Sequence, residues 1–318
     1  MVAYRPFLNS DPPALADIWR NQPPQRGLYQ PMTASTFERC VLARLHFERE
    51  GLIVACEGDR ALGFVHAGFG PTAARNGLDT SVGVISCLMV DDHEQLDIAD
   101  ALVQHAEAYL QHHGAKAVYG GEIRPVSPFY LGLIGGADCG GCPVSEGAAF
   151  RTYAAAGYQV VDRTTVYSRE LSTFRPKVDR RTVAARRKYV VENVEEPPLV
   201  DRWDACLFGA AERRRFDLVE RVGGPAVGHT LFWDVQPISA TWGVRTWGLL
   251  NIEIAEDHRR KGAATFLIGE ALRRLAVTEG AARADAHLYS RHAGLASVLD
   301  SLGFERVDEA TVLRRDLR

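Results

Sequence analysis

Residues 247–280, WGLLNIEIAEDHRRKGAATFLIGEALRRLAVTEG, change from a strand pattern to a helix pattern within a few positions. In LLNIEI the aliphatic residues alternate with Asn251 and Glu253, which predicts a strand with one apolar and one polar face. From Gly262 onward the apolar residues recur at helical spacing, and Gly280 is placed to end that helix. The chain must therefore accommodate a half-buried strand that turns directly into a long helix.

The turn between this strand and this helix is basic. It contains Arg259, Arg260, Lys261, Gly262, Ala263 and Ala264. Cations are unfavourable near the positive N-terminal end of a helix. An anionic ligand such as a pyrophosphate would explain why three occur here. The alternative is a solvated basic turn that binds nothing. The pattern Arg-x-x-Gly-x-Ala is weak alone, because it recurs at residues 221–226 and 291–296. The first recurrence predicts a hairpin turn, and the second opens only a short helix, so the turn at 259–264 is the best candidate.

The order of this strand, this turn, a long helix, a further strand and a helix closing in Leu302-Gly303-Phe304 resembles the GNAT superfamily of acyl-CoA-dependent acetyltransferases. The resemblance covers about residues 189–315. In that family the Arg/Gln-x-x-Gly-x-Gly/Ala turn binds the pyrophosphate of acetyl-CoA, which is the co-substrate. The resemblance therefore implies that acetyl-CoA binds at this turn, and that the strand splays near Ile252 and Ile254 to offer backbone groups to the thioester carbonyl.

The resemblance implies an N-acetyltransferase, a reaction that needs a neutral amine, a polarised carbonyl and a proton for the leaving thiolate. Glu253 is the candidate base with Asn251 beside it, although a carboxylate neutralised by the nearby arginines is an equally open interpretation. Tyr289 is the candidate proton donor, with His287 and His292 near it, unless no side-chain acid is needed. The candidates for binding acetyl-CoA are Ile252, Ile254, Arg259, Arg260, Lys261, Gly262, Ala263, Ala264 and His292. We expect no metal.

The first half of the chain repeats this plan. When Val90 is placed on Ile254, a helix over about residues 96–113, a strand and a helix ending at Gly157 follow in the same order as in the second half. The sequence therefore predicts an α/β (α+β) protein with two GNAT-like folds in tandem, each a mixed, mostly antiparallel central sheet flanked by helices. The predicted parts are an N-terminal domain at 1–170, a basic linker at 171–188 and a C-terminal domain at 189–318.

The two copies differ at the phosphate turn. In the first copy the turn is the stretch from Gln95 to Asp100, with Ile98 and Asp100 where the second copy has Gly262 and Ala264. A bulky side chain blocks close backbone approach and carboxylates repel phosphate, so we expect this degenerate copy to bind acetyl-CoA poorly or not at all. From the same reasoning, Gly262→Glu is expected to abolish CoA binding and to leave the fold intact.

Many GNAT enzymes carry a proton-donating tyrosine four residues before the Gly-aromatic pair. The first copy has Tyr153 at that position, and the second copy has Leu299, which cannot donate a proton. Because the copy with the tyrosine lacks a phosphate turn, a core aromatic is the favoured interpretation of Tyr153.

Residues 120–143 have no counterpart in the second copy and are too long for a simple connection. Phe129 and Tyr130 could form a lid or a substrate wall, and a surface loop anchored by Phe129 is the alternative. Cys139 and Cys142 have no second pair and no histidine at zinc spacing, which favours loop cysteines over a zinc or redox site. A single helix is expected over residues 35–50.

The net charge and the lengths of the apolar runs indicate which kinds of partner the chain can have. The 318 residues carry a net charge of −3, which argues against nucleic acid, although the basic run at 171–188 leaves a patch for nucleic acid or the CoA 3′-phosphate open. No apolar run approaches a membrane span and the start does not resemble a signal peptide, so a cytoplasmic location is expected. The expected acceptor is the amine of a small molecule or peptide, and a homodimer is left open.

Two rival functions remain at this point. The first is a non-catalytic acyl-CoA-binding or sensing protein. The second is a tandem acetyltransferase that resembles mycothiol synthase, although no residue here identifies that substrate.

Overall fold

The computed structural model describes residues 1–92, 96–127, 129–138, 140–144 and 147–317. The first half contains β1 (Ala3–Pro6), α1 (Pro12–Arg20), α2 (Ala34–Phe37), β2 (Leu52–Glu57), β3 (Arg60–Pro71), β4 (Leu78–Val90), α3 (Leu96–His112), β5 (Ala117–Gly120), β6 (Cys142–Pro143), α4 (Gly147–Ala155) and β7 (Gln159–Glu170). The second half contains α5 (Arg180–Lys188), β8 (Tyr189–Glu195), α6 (Arg202–Phe208), β9 (Arg213–Glu220), β10 (Ala226–Asp234), α7 (Ile238–Trp242), β11 (Thr246–Ile254), α8 (Ala263–Thr278), β12 (Arg283–Tyr289), α9 (Ala296–Ser301) and β13 (Glu305–Asp316). Gln95 and Cys139 lie outside the described residues.

The chain divides into two compact units. Unit 1 comprises Met1–Thr164, Val200–Gly209 and Glu309–Arg318, and unit 2 comprises Thr165–Leu199 and Ala210–Asp308. β7 therefore passes from unit 1 into unit 2, and β13 passes from unit 2 into unit 1. Each unit thus contains a strand segment from the other half of the sequence. The domain and linker boundaries given above stay predictions.

In unit 1 the strands lie in the order β1, β2, β3, β4 and β5, with β13 beside β5. These pairs are antiparallel except for β4 and β5, which are parallel. The parallel ladder runs from Val82↔Ala117 to Ile85↔Gly120, whereas β4 continues to Val90. The two strands therefore part beyond Ile85.

Unit 2 repeats this arrangement with the order β8, β9, β10, β11 and β12, and β7 beside β12. Again the pairs from β8 to β11 are antiparallel and the β11–β12 pair is parallel. This ladder ends at Leu249↔Ala286, whereas β11 continues to Ile254. The predicted mixed, mostly antiparallel sheet with flanking helices is therefore confirmed in both copies.

A β-bulge occurs at the equivalent place in both central strands. In β4, Ser86 has no partner in β3, because the two residues on either side of it pair with consecutive residues of β3. In β11, Leu250 has no partner in β10 for the same reason. A bulge inserts one residue and bends its strand, which redirects the backbone groups that follow. Placing Val90 on Ile254 places Ser86 on Leu250, so the bulges confirm the internal repeat.

Alternate residues of β2 pack on opposite faces of the unit 1 sheet. Ile53 belongs to a cluster covered by α3 and α4, whereas Val54 belongs to a second cluster covered by α1 and α2. In unit 2 the apolar stripe of α8 packs on the sheet through Leu267, Leu272 and Leu275. Gly280 follows the end of α8 with a φ of +65°. Few residues with a side chain adopt this left-handed conformation, so the helix ends at the glycine as predicted.

The aromatic pair in the long loop at 120–143 is buried. Phe129 and Tyr130 are 1% and 0% exposed. The ring of Phe129 lies 4.3 Å from that of His66, and the ring of Tyr130 lies 5.9 Å from that of Trp19. The lid prediction is wrong because both aromatic rings complete the core of unit 1.

The single helix expected over residues 35–50 is also wrong. α2 is followed by a π-helical turn at Glu38–Leu42, after which the chain leaves the helical path. Phe47 then packs edge-on against Phe7 at 5.7 Å between ring centroids. Burial of these rings outweighs the modest helix propensity of the segment.

Within the described ranges, no helix combines the length and the hydropathy needed to cross a membrane. The cysteines that the structure describes form no disulfide bond with one another.

Candidate active site

The predicted pyrophosphate turn leads from β11 into α8. Gly262 immediately precedes the helix with a φ of +83°, a conformation that L side chains rarely adopt. A Cβ atom at Gly262 would lie 3.0–3.1 Å from the Cβ and backbone atoms of Arg181 in α5. The turn therefore needs glycine for its backbone conformation and also for the approach of a second helix.

The start of α8 has no side-chain cap. The first helical hydrogen bond is donated by Phe266 N–H to the Gly262 carbonyl, at 3.0 Å, so the amides of Ala263 and Ala264 precede it. By contrast, Asp179 caps α5 by accepting from the Thr182 amide at 2.9 Å. Uncapped first-turn amides and the helix dipole together favour an anion at the start of α8.

Three exposed cations border this helix start. Arg259 Nε donates to the Ile254 carbonyl at 2.7 Å, which ties the turn to the end of β11. Lys261 Nζ donates to the Asp257 carbonyl at 2.6 Å, and Arg260 has a positive φ of +60°. Three cations therefore border the helix start, with the acidic Glu256 and Asp257 earlier in the same turn. The positive φ of Arg260 is a strained conformation of the kind found in functional turns.

The two faces of β11 differ as predicted. Ile254 is 8% exposed in the core of unit 2, and Ile252 packs against the same core. Asn251 and Glu253 alternate with them and are exposed. A ligand at this strand would therefore meet the isoleucines through their backbone and the two polar residues through their side chains.

His229 is a neighbour of Glu253 that the sequence interpretation did not identify. The two residues are directly opposite each other on β10 and β11. Opposite residues share a face of the sheet, with Cβ atoms about 4.5–5.5 Å apart. The pairing depends on the bulge at Leu250, so the only sequence signal was a histidine within a strand-like run.

Tyr289 lies at the end of β12 and is 8% exposed. The guanidinium of Arg291 lies 4.2 Å above its ring, and the ring of His292 lies 6.4 Å away. His292 is exposed, and His287 is half-buried on the same strand. Because the β11–β12 ladder stops at Leu249↔Ala286, Glu253 and Tyr289 lie on the two strands that border the opening.

Tyr153 and Leu299 occupy equivalent positions, as predicted. The Tyr158 amide donates to the Tyr153 carbonyl at 3.0 Å, and the Phe304 amide donates to the Leu299 carbonyl at 3.1 Å. Tyr153 is 1% exposed and packs in the core of unit 1 beside Tyr158. This burial supports the favoured interpretation of Tyr153 as a core aromatic.

In unit 1 the described residues of the equivalent stretch, from Leu96 to Asp100, are already helical. α3 begins at Leu96, and Ile98 is 5% exposed in the hydrophobic core. The side chain of Ile98 therefore anchors the first turn of α3, where unit 2 has the left-handed Gly262.

Known protein families and solved structures resemble this chain. Residues 13–124 match the acetyltransferase (GNAT) family model. The chain is 15% identical to a tandem GNAT protein from the clavulanic acid biosynthesis pathway, with a TM-score of 0.66 over 99% of this chain and 98% of that one. This protein has the tandem GNAT fold. The resemblance seen in the sequence is thereby confirmed, although the family model matches the first half and the resemblance rested on the second.

Two further solved structures are similar. A GCN5-related N-acetyltransferase from Sphaerobacter thermophilus is 14% identical, with a TM-score of 0.65 over 100% of this chain and 96% of that one. A GCN5-related glucosamine N-acetyltransferase region of a fungal multi-domain GH3 β-N-acetylglucosaminidase is 12% identical, with a TM-score of 0.71. That alignment covers 99% of this chain and 38% of the fungal chain. No curated protein matches the sequence.

Replacing Gly262 by alanine should destabilise unit 2. We expect a loss of about 1–2 kcal/mol from the positive φ, and about 1–3 kcal/mol more from the contact with Arg181. Gly243→Ala is the matched control, because Gly243 has a φ of +69° with no heavy atom within 4 Å of its added Cβ. Urea unfolding of the three chains measures the difference, and equal losses would contradict the close approach of α5.

The same contact changes the expectation for Gly262→Glu. A glutamate there would strain the turn and displace Arg181, so this substitution would not leave the fold intact. A test of phosphate binding needs exposed positions instead.

Proposed function

We propose that the protein is an acetyl-CoA-dependent N-acetyltransferase that moves an acetyl group to the amine of a small molecule or peptide, and that its second copy binds CoA. One observation carries the proposal. β11 and β12 part beyond Leu249↔Ala286, and β11 then leads through a cationic turn into the uncapped start of α8. The opening suits an extended amide chain, and the turn suits the pyrophosphate.

The pyrophosphate would accept hydrogen bonds from the first amides of α8. Arg260 and Lys261 would supply charge-assisted contacts, which are stronger than neutral ones. The exposed side chain of Arg181 starts beside Gly262 and would bring a further cation to the 3′-phosphate. On this proposal α5, which the sequence presented as a linker, takes part in binding CoA.

The chemistry would take place along the exposed part of β11. Backbone groups near Ile252 would polarise the thioester carbonyl, because the parted strand has no partner there in β12. Glu253, directly or through water, would accept the proton of the amine, and His229 is a second base on the same face. Tyr289 or His292 would protonate the thiolate, unless the thiolate leaves unprotonated.

Release of CoA thiol tests the reaction. The purified chain is incubated with acetyl-CoA and a panel of primary amines that includes glucosamine, the acceptor named for the fungal neighbour. Turnover that falls in Glu253→Gln or His229→Gln while CoA affinity is unchanged would support the assignment of a base. Tight binding of CoA without turnover on any amine would favour the alternative, a non-catalytic acyl-CoA sensor.

Titration should give one CoA per chain. Unit 2 has Gly262 ahead of its helix, whereas unit 1 has the buried Ile98 and the acidic Asp97 and Asp100 at the equivalent start. Sterics and charge both favour the second site, by more than the roughly 4 kcal/mol that separates micromolar from millimolar binding. Calorimetry on the intact chain measures the stoichiometry, and two equivalent sites would contradict the proposal.

No metal enters this mechanism. The cytoplasmic location and a homodimer stay predictions.

A further inference from the structure

Unit 1 contains a cavity of about 280 Å³ between the end of β4 and the first turns of α3 and α4. It lies beyond the bulge at Ser86, where β4 has parted from β5. Most of its lining residues are apolar, among them Leu88, Val90, Leu96, Ala99 and Ala149. The first copy has therefore kept an opening in its sheet although it has no glycine turn for a pyrophosphate.

The polar groups of this cavity favour an anion. Among the described lining residues, Arg151 is the only ionisable side chain. Its Nη1 atom bends back to the start of α4 and lies 3.6 Å from the place of a Cβ on Gly147. It makes no hydrogen bond or ion pair within the part of the chain that the structure describes. Arg151 is exposed, so its charge lies on the solvent side of the cavity. A cation at the open side of a largely apolar cavity matches a ligand with one negative charge and an apolar body.

The side-chain amide of Gln22, another lining residue, already donates hydrogen bonds within the protein. Gln22 Nε2 donates to the carbonyls of Ile18 and Val90, at 2.9 and 3.0 Å. Both amide hydrogens of Gln22 are thus used, and they hold the cavity wall at the end of β4. The Thr152 hydroxyl likewise donates to the Ala148 carbonyl. Neither of these two side chains competes with Arg151 for the anionic end of a ligand, whereas Gln25, which also lines the cavity, can offer its amide to the same ligand.

The volume restricts the ligand further. Sites for drug-sized ligands occupy about 300–1,000 Å³, so this cavity suits a smaller molecule than CoA. Towards the interior, a second space of about 20 Å³ beside Ser86 and Tyr153 is large enough for a water molecule only. We propose that the cavity of unit 1 binds a small monocarboxylate with an aliphatic or aromatic body. This proposal does not depend on the assignment of the CoA site.

Three probes of equal chain length test the proposal on the intact protein: octanoate, 1-octanol and octylammonium. Calorimetry should rank their affinities in that order. Arg151→Gln should weaken octanoate about tenfold, the value of one charge-assisted contact, and leave octanol unchanged. Arg163→Gln removes an exposed arginine of unit 1 outside the cavity and is the matched control, which should bind octanoate normally.

Ala148→Trp, at a half-buried lining position, should block octanoate and octanol alike. Circular dichroism then confirms that each variant is folded. Equal binding of octanoate and octanol, or an octanoate affinity unchanged in Arg151→Gln, would overturn the proposal. So would the absence of octanoate binding up to its solubility limit. Displacement of octanoate by CoA would show instead that the cavity belongs to a CoA site.

Discussion

Reversing the charge of Arg260 and Lys261 together should lower the affinity for CoA about a hundredfold or more. Both side chains are exposed beside the uncapped start of α8, where a pyrophosphate would carry two negative charges. Neutralising one such contact costs about tenfold, and a glutamate in its place adds repulsion that solvent only partly screens. Calorimetry of the double variant Arg260→Glu/Lys261→Glu measures the loss.

The matched control is Arg260→Gln/Lys261→Gln, which removes the charges without reversing them; at about tenfold per contact it should lose about a hundredfold, and the reversed variant should lose more than this control. Neither double variant should change the urea midpoint much, because both positions are exposed. A parallel titration with dephospho-CoA separates the pyrophosphate from the 3′-phosphate. If CoA bound the reversed chain as tightly as the unchanged one, the turn would have been assigned wrongly.

Unit 1 should lose stability on acidification through His66. This imidazole is fully buried, and desolvation lowers its pKa to about 3. Its Nδ1 lies 3.0 Å from the Tyr130 hydroxyl, whose pKa burial raises well above the usual value, so the phenol stays protonated. The folded state therefore holds a neutral histidine with a neutral partner.

The direction of this pH effect depends on how many protons the folded and unfolded chains bind. Below the ordinary pKa of about 6.5 the unfolded chain binds a proton that the folded chain does not, so stability is present above pH 6.5 and is lost as the pH falls towards 3. Between pH 7.5 and 5 the loss from His66 alone should be about 2 kcal/mol. Urea unfolding at several pH values, followed by pulsed hydrogen exchange of β3 peptides, measures it for unit 1.

His66→Leu should remove this part of the pH dependence, although it also deprives Tyr130 of a partner at every pH. His112→Leu changes an exposed histidine of the same unit and should leave the pH dependence unchanged. A pH dependence that persists in full in His66→Leu would assign the acid sensitivity to other groups.

The ends of α8 and the polar face of β11 could be predicted from the sequence, because each depends on residues that are close together in the chain. The change of periodicity at Gly262 marked the start of α8, and Gly280 marked its end. The match of Val90 with Ile254 predicts the repeat from the order of strands, helices and glycines alone. The polar face of β11 followed from simple alternation, so Asn251 and Glu253 are exposed as expected.

The features that could not be predicted depend on pairing between distant segments. His229 faces Glu253 only because of a one-residue bulge, and a register has no local signature. The approach of α5 to Gly262 and the burial of Phe129 depend on tertiary packing. Apolar residues in a glycine-rich loop do not indicate whether they cover a ligand or complete a core.

The passage of β13 into unit 1 has a consequence for synthesis on the ribosome. Leu313↔Gly120 to Asp316↔Ala117 is the ladder that covers the outer edge of β5. Until the ribosome has translated these codons, nearly two hundred residues after Gly120, that edge of β5 has no β13 to pair with. An exposed strand edge invites pairing with other chains. A message truncated before residue 309 would therefore damage the first copy, although the sequence of that copy would be intact, and would leave a nascent product prone to aggregation.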